Sequence, residues 1–208
     1  MPVRAGRGLD ILCAGTQGLT AGPRLIHVMR MNVSDESLAR AAANGDRQAF
    51  ASLLERHYDR LFALSFRLTG SRAEAQDLTQ DICAALPAKL VSYRGQSKVT
   101  TWLYRVTVNA AHDRRRRRTT YMKASDGWGD WELARQDEIS TGRAQLDWLG
   151  AAMARLSHDL RDTLALVLDD LTHAEVAHIL GVSQGTISWR VSEAKKRLRA
   201  IREQEEAS

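Results

Sequence analysis

Residues 102 to 118 read WLYRVTVNAAHDRRRRR. Arg114, Arg115, Arg116, Arg117 and Arg118 repel one another unless anions neutralise them, and they close a segment with helical character. Helical spacing puts Trp102, Arg105, Asn109 and His112 on one stripe leading into that run. Aromatic side chains stack on unpaired bases, arginines follow phosphates, and an asparagine can bond a base edge with two hydrogen bonds. The chemistry is recognition of a nucleic acid, partly single-stranded. A competing reading makes Trp102 a core residue and the arginines a solvated helix end. The basic run beside aromatic and amide side chains favours the nucleic acid.

A second constellation lies near the C-terminus, in LTHAEVAHILGVSQGTISWRVSEAKKRLRAI. Thr172 and Glu175 form a capping box, Ala177 is small where two helices must approach, and Gly181 suits a left-handed C-cap. Ser183 caps the next helix, whose buried stripe is Ile187, Val191, Ala194, Leu198 and Ile201. Gln184, Thr186, Ser188, Trp189, Arg190, Ser192 and Lys196 lie on the other side. Lys195, Lys196, Arg197, Arg199 and Arg202 continue a basic face suited to phosphates. The spacing of Ala177, Gly181 and Ile187 is that of a helix-turn-helix, whose second helix enters a major groove. A plain helical hairpin explains less of it, because it requires neither the small residue nor the turn glycine.

Asp77 and Asp81 are one helical turn apart in SRAEAQDLTQDICAAL. They can pair with arginines of a partner helix. Two acids at this spacing also suit a metal, but no histidine or third carboxylate joins them. The chain shows no nucleophile with a base, no phosphate loop and no metal-ligand cluster, so neither catalysis nor a cofactor is expected.

These residues need helices to position them. SDESLARAAANGD opens on Ser34 as N-cap and stops at Asn44-Gly45. The next segment carries Phe50, Leu53, Leu54, His57, Leu61, Leu64 and Leu68 at steps of three and four, up to Gly70. Ser71 with Glu74 opens a third helix, which Pro87 kinks or ends. After the turn YRGQS, the arginine-bearing helix turns Val99, Leu103, Val106 and Ala110 to the core. ARLSHDLRDTLALVLDDL supplies further helices ahead of the helix-turn-helix. Alternation with period two is nowhere sustained, so the fold class is all-α. Two small helical domains, 34–118 and 143–208, are joined by a flexible linker, 119–142. The linker holds glycines, tryptophans and acids without a helical stripe at its start.

The chain has 208 residues, a 44% hydrophobic content that predicts packed cores, and a net charge of +5. Cys13 and Cys83 are far apart and fit reduced thiols in a cytoplasmic protein. No apolar run is long enough for a bilayer, so no membrane insertion is expected. Residues 1–33 read as a loose extension. LDILCAG is too short for a signal peptide, and Met29 and Met31 place a candidate translation start just before the first helix.

GDRQAFASLLERHYDRLFALSFRLTG, AEAQDLTQDI and TTWLYRVTVNAAHDRRRR, followed by the segment from Ala154 to Arg199, resemble the extracytoplasmic-function (ECF) sigma factors of bacterial RNA polymerase. These are the compact group 4 of the sigma-70 family. The resemblance implies a factor that binds core polymerase through the β′ clamp and β flap, recognises promoter DNA and helps open it, under an anti-sigma factor. It implies polymerase docking by Asp77, Leu78, Gln80 and Asp81. It also implies minus-ten contacts by Trp102, Arg105, Asn109, His112 and the run Arg114 to Arg118. Minus-thirty-five contacts fall to Gln184, Thr186, Ser188, Trp189, Arg190, Ser192, Lys195, Lys196 and Arg197. The family more often has a small polar residue at the position of Trp189 and a basic one at that of Glu193. The linker would run through the polymerase cleft, its acids mimicking nucleic acid. A dimeric helix-turn-helix repressor or activator is the alternative. It leaves the Trp102 stripe and the acid pair without a purpose.

Overall fold

Side-chain caps fix where the helices begin. Ser34 accepts from the Ser37 amide, Asp46 from Gln48 and Ala49, Ser71 from Glu74, and Ser183 from Thr186. Thr172 and Glu175 close a full capping box. Each cap satisfies amides that a helix N-terminus leaves unpaired. The structure, a computed structural model, describes residues 33–124 and 144–207. Expectations for residues 1–32 and for 125–143 lie outside the described residues.

The helices are α1 (Asp35–Ala43), α2 (Arg47–Thr69), α3 (Arg72–Leu90), α4 (Val99–Ala124), α5 (Ala144–Ala154), α6 (His158–Val167), α7 (His173–Leu180) and α8 (Gln184–Glu206). No strand occurs among the described residues, so the fold is all-α. Pro87 lies in the last turn of α3, which ends at Leu90, so the expected stop falls shortly after it. α4 runs past the arginines into the expected linker. TTYMKA contains no breaker, and the Thr119 and Thr120 hydroxyls donate to carbonyls four residues back, at 3.1 and 3.0 Å.

α2 crosses α1, α3 and α4 and supplies the first core, where Leu61 and Leu64 are fully buried. Asp35 pins α1 onto α2 through Arg56 and the buried His57, both at 2.8 Å. On α4, Val99 and Leu103 are buried as expected, but Val106 and Ala110 are only half-buried. The buried positions are instead Tyr104, Thr107, Val108 and Ala111. α4 is covered from two directions, by α2 and α3 on one side and by α7 on another, so its core stripe is wider than the sequence indicates.

α6 has the same character in stronger form. Every residue from Leu160 to Leu166 is buried, including Arg161 and Asp162. One side meets α8 and α7; the other meets α2 of the first half. The two halves therefore share a packed seam, tightest at Gly70. Gly150 lies against the Phe66 ring, and a methyl added at Gly70 would sit 3.3 Å from the Ala154 Cβ.

Gly70 and Gly181 both end helices with positive φ, 75° and 68°, but only Gly70 faces the seam. Alanine at either position strains the backbone by about 1 kcal/mol. Gly70→Ala must also push Ala154 back, so its expected loss is larger, about 2 kcal/mol. Thermal unfolding of the two variants checks this: the melting temperature should fall further for Gly70→Ala than for Gly181→Ala.

Candidate nucleic-acid interface

The arginine run is not a single cationic block. Helical geometry sends its members to different neighbours. Arg114 bridges Asp77 and Asp81 of α3, at 3.1 and 3.2 Å, and Arg118 reaches Glu74 at 3.3 Å. Arg115 turns the other way, to Asp162 of α6. Arg116 pairs with Asp113 at 3.1 Å, and Arg117 is exposed with no ion-pair partner among the described residues. Splitting the run over three directions relieves most of the repulsion that the sequence implies. The acid pair Asp77 and Asp81 thus meets a cation of its own chain.

The neighbouring stripe is equally divided. Trp102 is half-buried against Tyr93, with ring centroids 5.4 Å apart and planes tilted by 54°. Asn109 is exposed. Arg105 donates to the His178 carbonyl at 2.6 Å, satisfying an oxygen near the C-terminal end of α7. His112 Nε2 lies 2.6 Å from Asp162 Oδ2. A carboxylate only accepts, so Nε2 must carry the proton.

Asp162 is the focus of these contacts. Its side chain is 4% exposed, and it receives both Arg115 nitrogens, at 3.0 and 2.7 Å, besides His112. Burial alone would raise its carboxyl pKa, but the hydrogen bonds and charges of His112 and Arg115 outweigh it and hold the group below its ordinary value. Nearby, Arg67 of α2 donates to Asp169 and to the Ala165 carbonyl. Burial beside Asp169 pushes the Tyr104 hydroxyl up to about 12. Lys98 reaches Glu175 at 3.4 Å.

α7 and α8 form the expected helix-turn-helix. Gly181 takes the left-handed conformation, and Ile187, Val191, Ala194 and Ile201 are buried, with Leu198 half-buried. Gln184, Ser188, Ser192, Lys195, Lys196 and Arg197 are exposed, Thr186 is half-buried, and Trp189 is 64% exposed. Arg197 pairs with Glu193 at 2.8 Å, one turn back, and Ser188 bonds His173 at 3.1 Å.

Two assignments change. Leu78 is 1% exposed and packs in the core under α3, so it cannot form a docking contact; Asp77, Gln80 and Asp81 remain on the outer face. Arg190 does not stand free for a base edge. Its side chain is 14% exposed and held by Asp159 at 2.6 Å. The residues that sequence reasoning missed are Arg67, Asp162 and Asp169, which join the halves. A signal existed for the burial of their helix, though not for the pairs themselves: LRDTLALVLDDL is apolar on more than one side, the mark of a helix covered on both sides.

The sigma-70 region 2 family matches residues 53–120, and the sigma-70 region 4 family matches residues 146–198. The chain is 33% identical over 170 residues to the ECF RNA polymerase sigma factor SigM of Mycobacterium tuberculosis, covering 79% of this chain and 83% of that protein. It is 27% identical over 172 residues to the ECF RNA polymerase sigma factor SigW of Bacillus subtilis, covering 74% and 89%. Among solved structures, the sigma factor RpoE in complex with the anti-sigma factor NepR, from Bartonella quintana, matches with a TM-score of 0.64 at 27% identity, over 74% of this chain and 96% of that one. CnrH in complex with the cytosolic domain of CnrY matches with a TM-score of 0.59 at 25% identity, over 81% and 97%. With both halves matched in order and the helices in place, the chain belongs to the ECF RNA polymerase sigma factors, transcription initiation factors without catalysis of their own.

Proposed function

We propose that residues 34–118 dock core polymerase and capture the opened minus-ten strand, that 143–208 read the minus-thirty-five duplex, and that 119–142 join them. One observation carries this reading. A single chain holds a helix-turn-helix with an exposed polar and basic face on α8, and a separate helix, α4, whose stripe combines Trp102, Arg105 and Asn109. A duplex reader alone has no use for the second. On α8 the exposed groups without an ion-pair or side-chain partner among the described residues include Gln184, Trp189, Ser192, Lys195 and Lys196, with Trp189 offering an apolar surface to a thymine methyl. Control by an anti-sigma factor and work in the cytoplasm complete the reading. Similarity to RpoE in its complex with NepR supports the first. No described helix is long and apolar enough to cross a membrane, which fits the second.

Transcription of a genomic DNA library by core polymerase, with and without this protein, tests the whole reading. Defined new start sites should appear only with it. A dimeric repressor or activator would give none and would not co-elute with core polymerase.

The docking face is tested by Asp77→Arg with Gln80→Ala. Both side chains are exposed, and Arg114 keeps Asp81 as partner, so folding should change by less than about 1 kcal/mol. Co-elution with core polymerase should disappear while helicity remains; wild-type co-elution would move docking elsewhere.

Strand capture is tested at Asn109, the exposed polar member of the α4 stripe. Asn109→Ala should leave closed-duplex binding intact and lower open-complex formation by about tenfold, the effect of losing one base contact of 1–3 kcal/mol. Permanganate footprinting on linear promoter DNA reads this directly. Equal reactivity in wild type and variant would remove Asn109 from strand capture.

A further inference from the structure

The base-reading end of α8 is short of the side chain that most often reads guanine. In a helix-turn-helix the N-terminal residues of the second helix reach the base edges. The first three turns of α8, residues 184–194, contain one cation, Arg190. Its side chain is 14% exposed and donates to Asp159 of α6 at 2.6 Å, so it is engaged within the second half. The next cations, Lys195 and Lys196, come about three turns after the helix starts, where they suit phosphates. This segment therefore presents no arginine for the O6 and N7 of a guanine.

What the outer face presents instead is Gln184 and Trp189, both exposed. A glutamine amide matches the N6 and N7 of adenine. An indole has one N–H and no acceptor, so its broad face tells bases apart by apolar contact, and thymine alone carries a methyl in the major groove. Gly185, one turn before Trp189 on the same side of the helix, adds no side chain; a Cβ there would meet only Ser183 Oγ, at 3.7 Å. That side of the indole is open to a base pair. Both departures from the family pattern act in one direction. Trp189 adds an apolar surface, and Glu193 puts an anion, paired with Arg197 at 2.8 Å, where a cation is usual. Resting on the minus-thirty-five reading of α8, we propose that this helix is built to select A·T pairs: Trp189 selects a thymine by its methyl, Gln184 selects an adenine, and no guanine is read by arginine.

The test uses holoenzyme, core polymerase loaded with the full chain, on promoter templates randomised only over the minus-thirty-five block. Selected templates should carry neighbouring A·T pairs, and 7-deazaguanine in place of any guanine of the block should leave initiation unchanged. Uracil in place of the thymines of the block removes only their methyl groups. Initiation by wild type should then fall about fourfold for each methyl contacted, the effect of unburying one methyl-sized group. Trp189→Ser should initiate equally on thymine and uracil templates, while Trp189→Phe keeps the preference. Gln184→Ala should lose adenine selection at one position and retain the uracil penalty. Both side chains are exposed, so the variants should keep wild-type helicity. Equal initiation by wild type on thymine and uracil templates overturns the inference. So does a uracil penalty retained by Trp189→Ser, and so does a guanine whose N7 is required. In these three cases selection within the block still upholds the minus-thirty-five reading itself. No selection anywhere in the block ends that reading, and the inference with it.

Discussion

A carboxylate that is 4% exposed needs hydrogen-bond donors in place of water, and the two side chains that bond Asp162, His112 and Arg115, both come from the other half of the chain. That constraint orders much of the structure. His112 and Arg115 reach Asp162 by the length of their side chains, while α7 is the helix of the second half that packs on α4. α6 is itself buried on both sides, with its Leu164 and Leu166 packed away from water. The approach is tight where Gly70 meets Ala154, while an added methyl at Gly150 would sit in ordinary contact with Phe66. Arg67 and Asp169 close the same seam from α2. The polar contacts and the small-residue contacts are thus two aspects of one close approach.

The arginine run carries charges in two regimes. Arg114 and Arg118 face carboxylates on α3 in largely exposed pairs, which are worth little and exchange readily for a partner's charges. Arg115 sits in a nearly closed cluster, where breaking one contact without replacing it is costly. Position along the helix, not residue type, makes this difference. Only the first kind can change partners without a rearrangement elsewhere in the chain.

The sequence displayed most of the local structure and little of the seam. Caps at Ser34, Ser71, Thr172 and Ser183, the stop at Gly70 and the turn at Gly181 are local signals, and each appears in the fold. The stripe Ile187, Val191, Ala194 and Ile201 was legible because α8 is buried on one side only. The stripe of α4 was misjudged at Val106 and Ala110, because burial from two directions erases a single hydrophobic period. Leu78 was read by its neighbours Asp77 and Gln80, yet helical periodicity turns it inward. The pairs Arg67–Asp169 and Arg115–Asp162 join residues far apart in the chain, and no spacing rule in one dimension announces them.

The two recognition helices start from unequal states. On the outer face of α8, Arg190, Arg197 and Ser188 are engaged by Asp159, Glu193 and His173, while Trp189 and the lysines are open to solvent. On α4, by contrast, Arg105, His112 and Arg115 are already bound within the chain, and Trp102 rests against Tyr93. Under the proposed assignment a duplex meets α8 with little rearrangement, whereas Arg105, His112 and Arg115 of α4 would first have to exchange their partners within the chain. Exposed duplex phosphates and major-groove edges are present in any closed promoter; an unpaired strand exists only after melting.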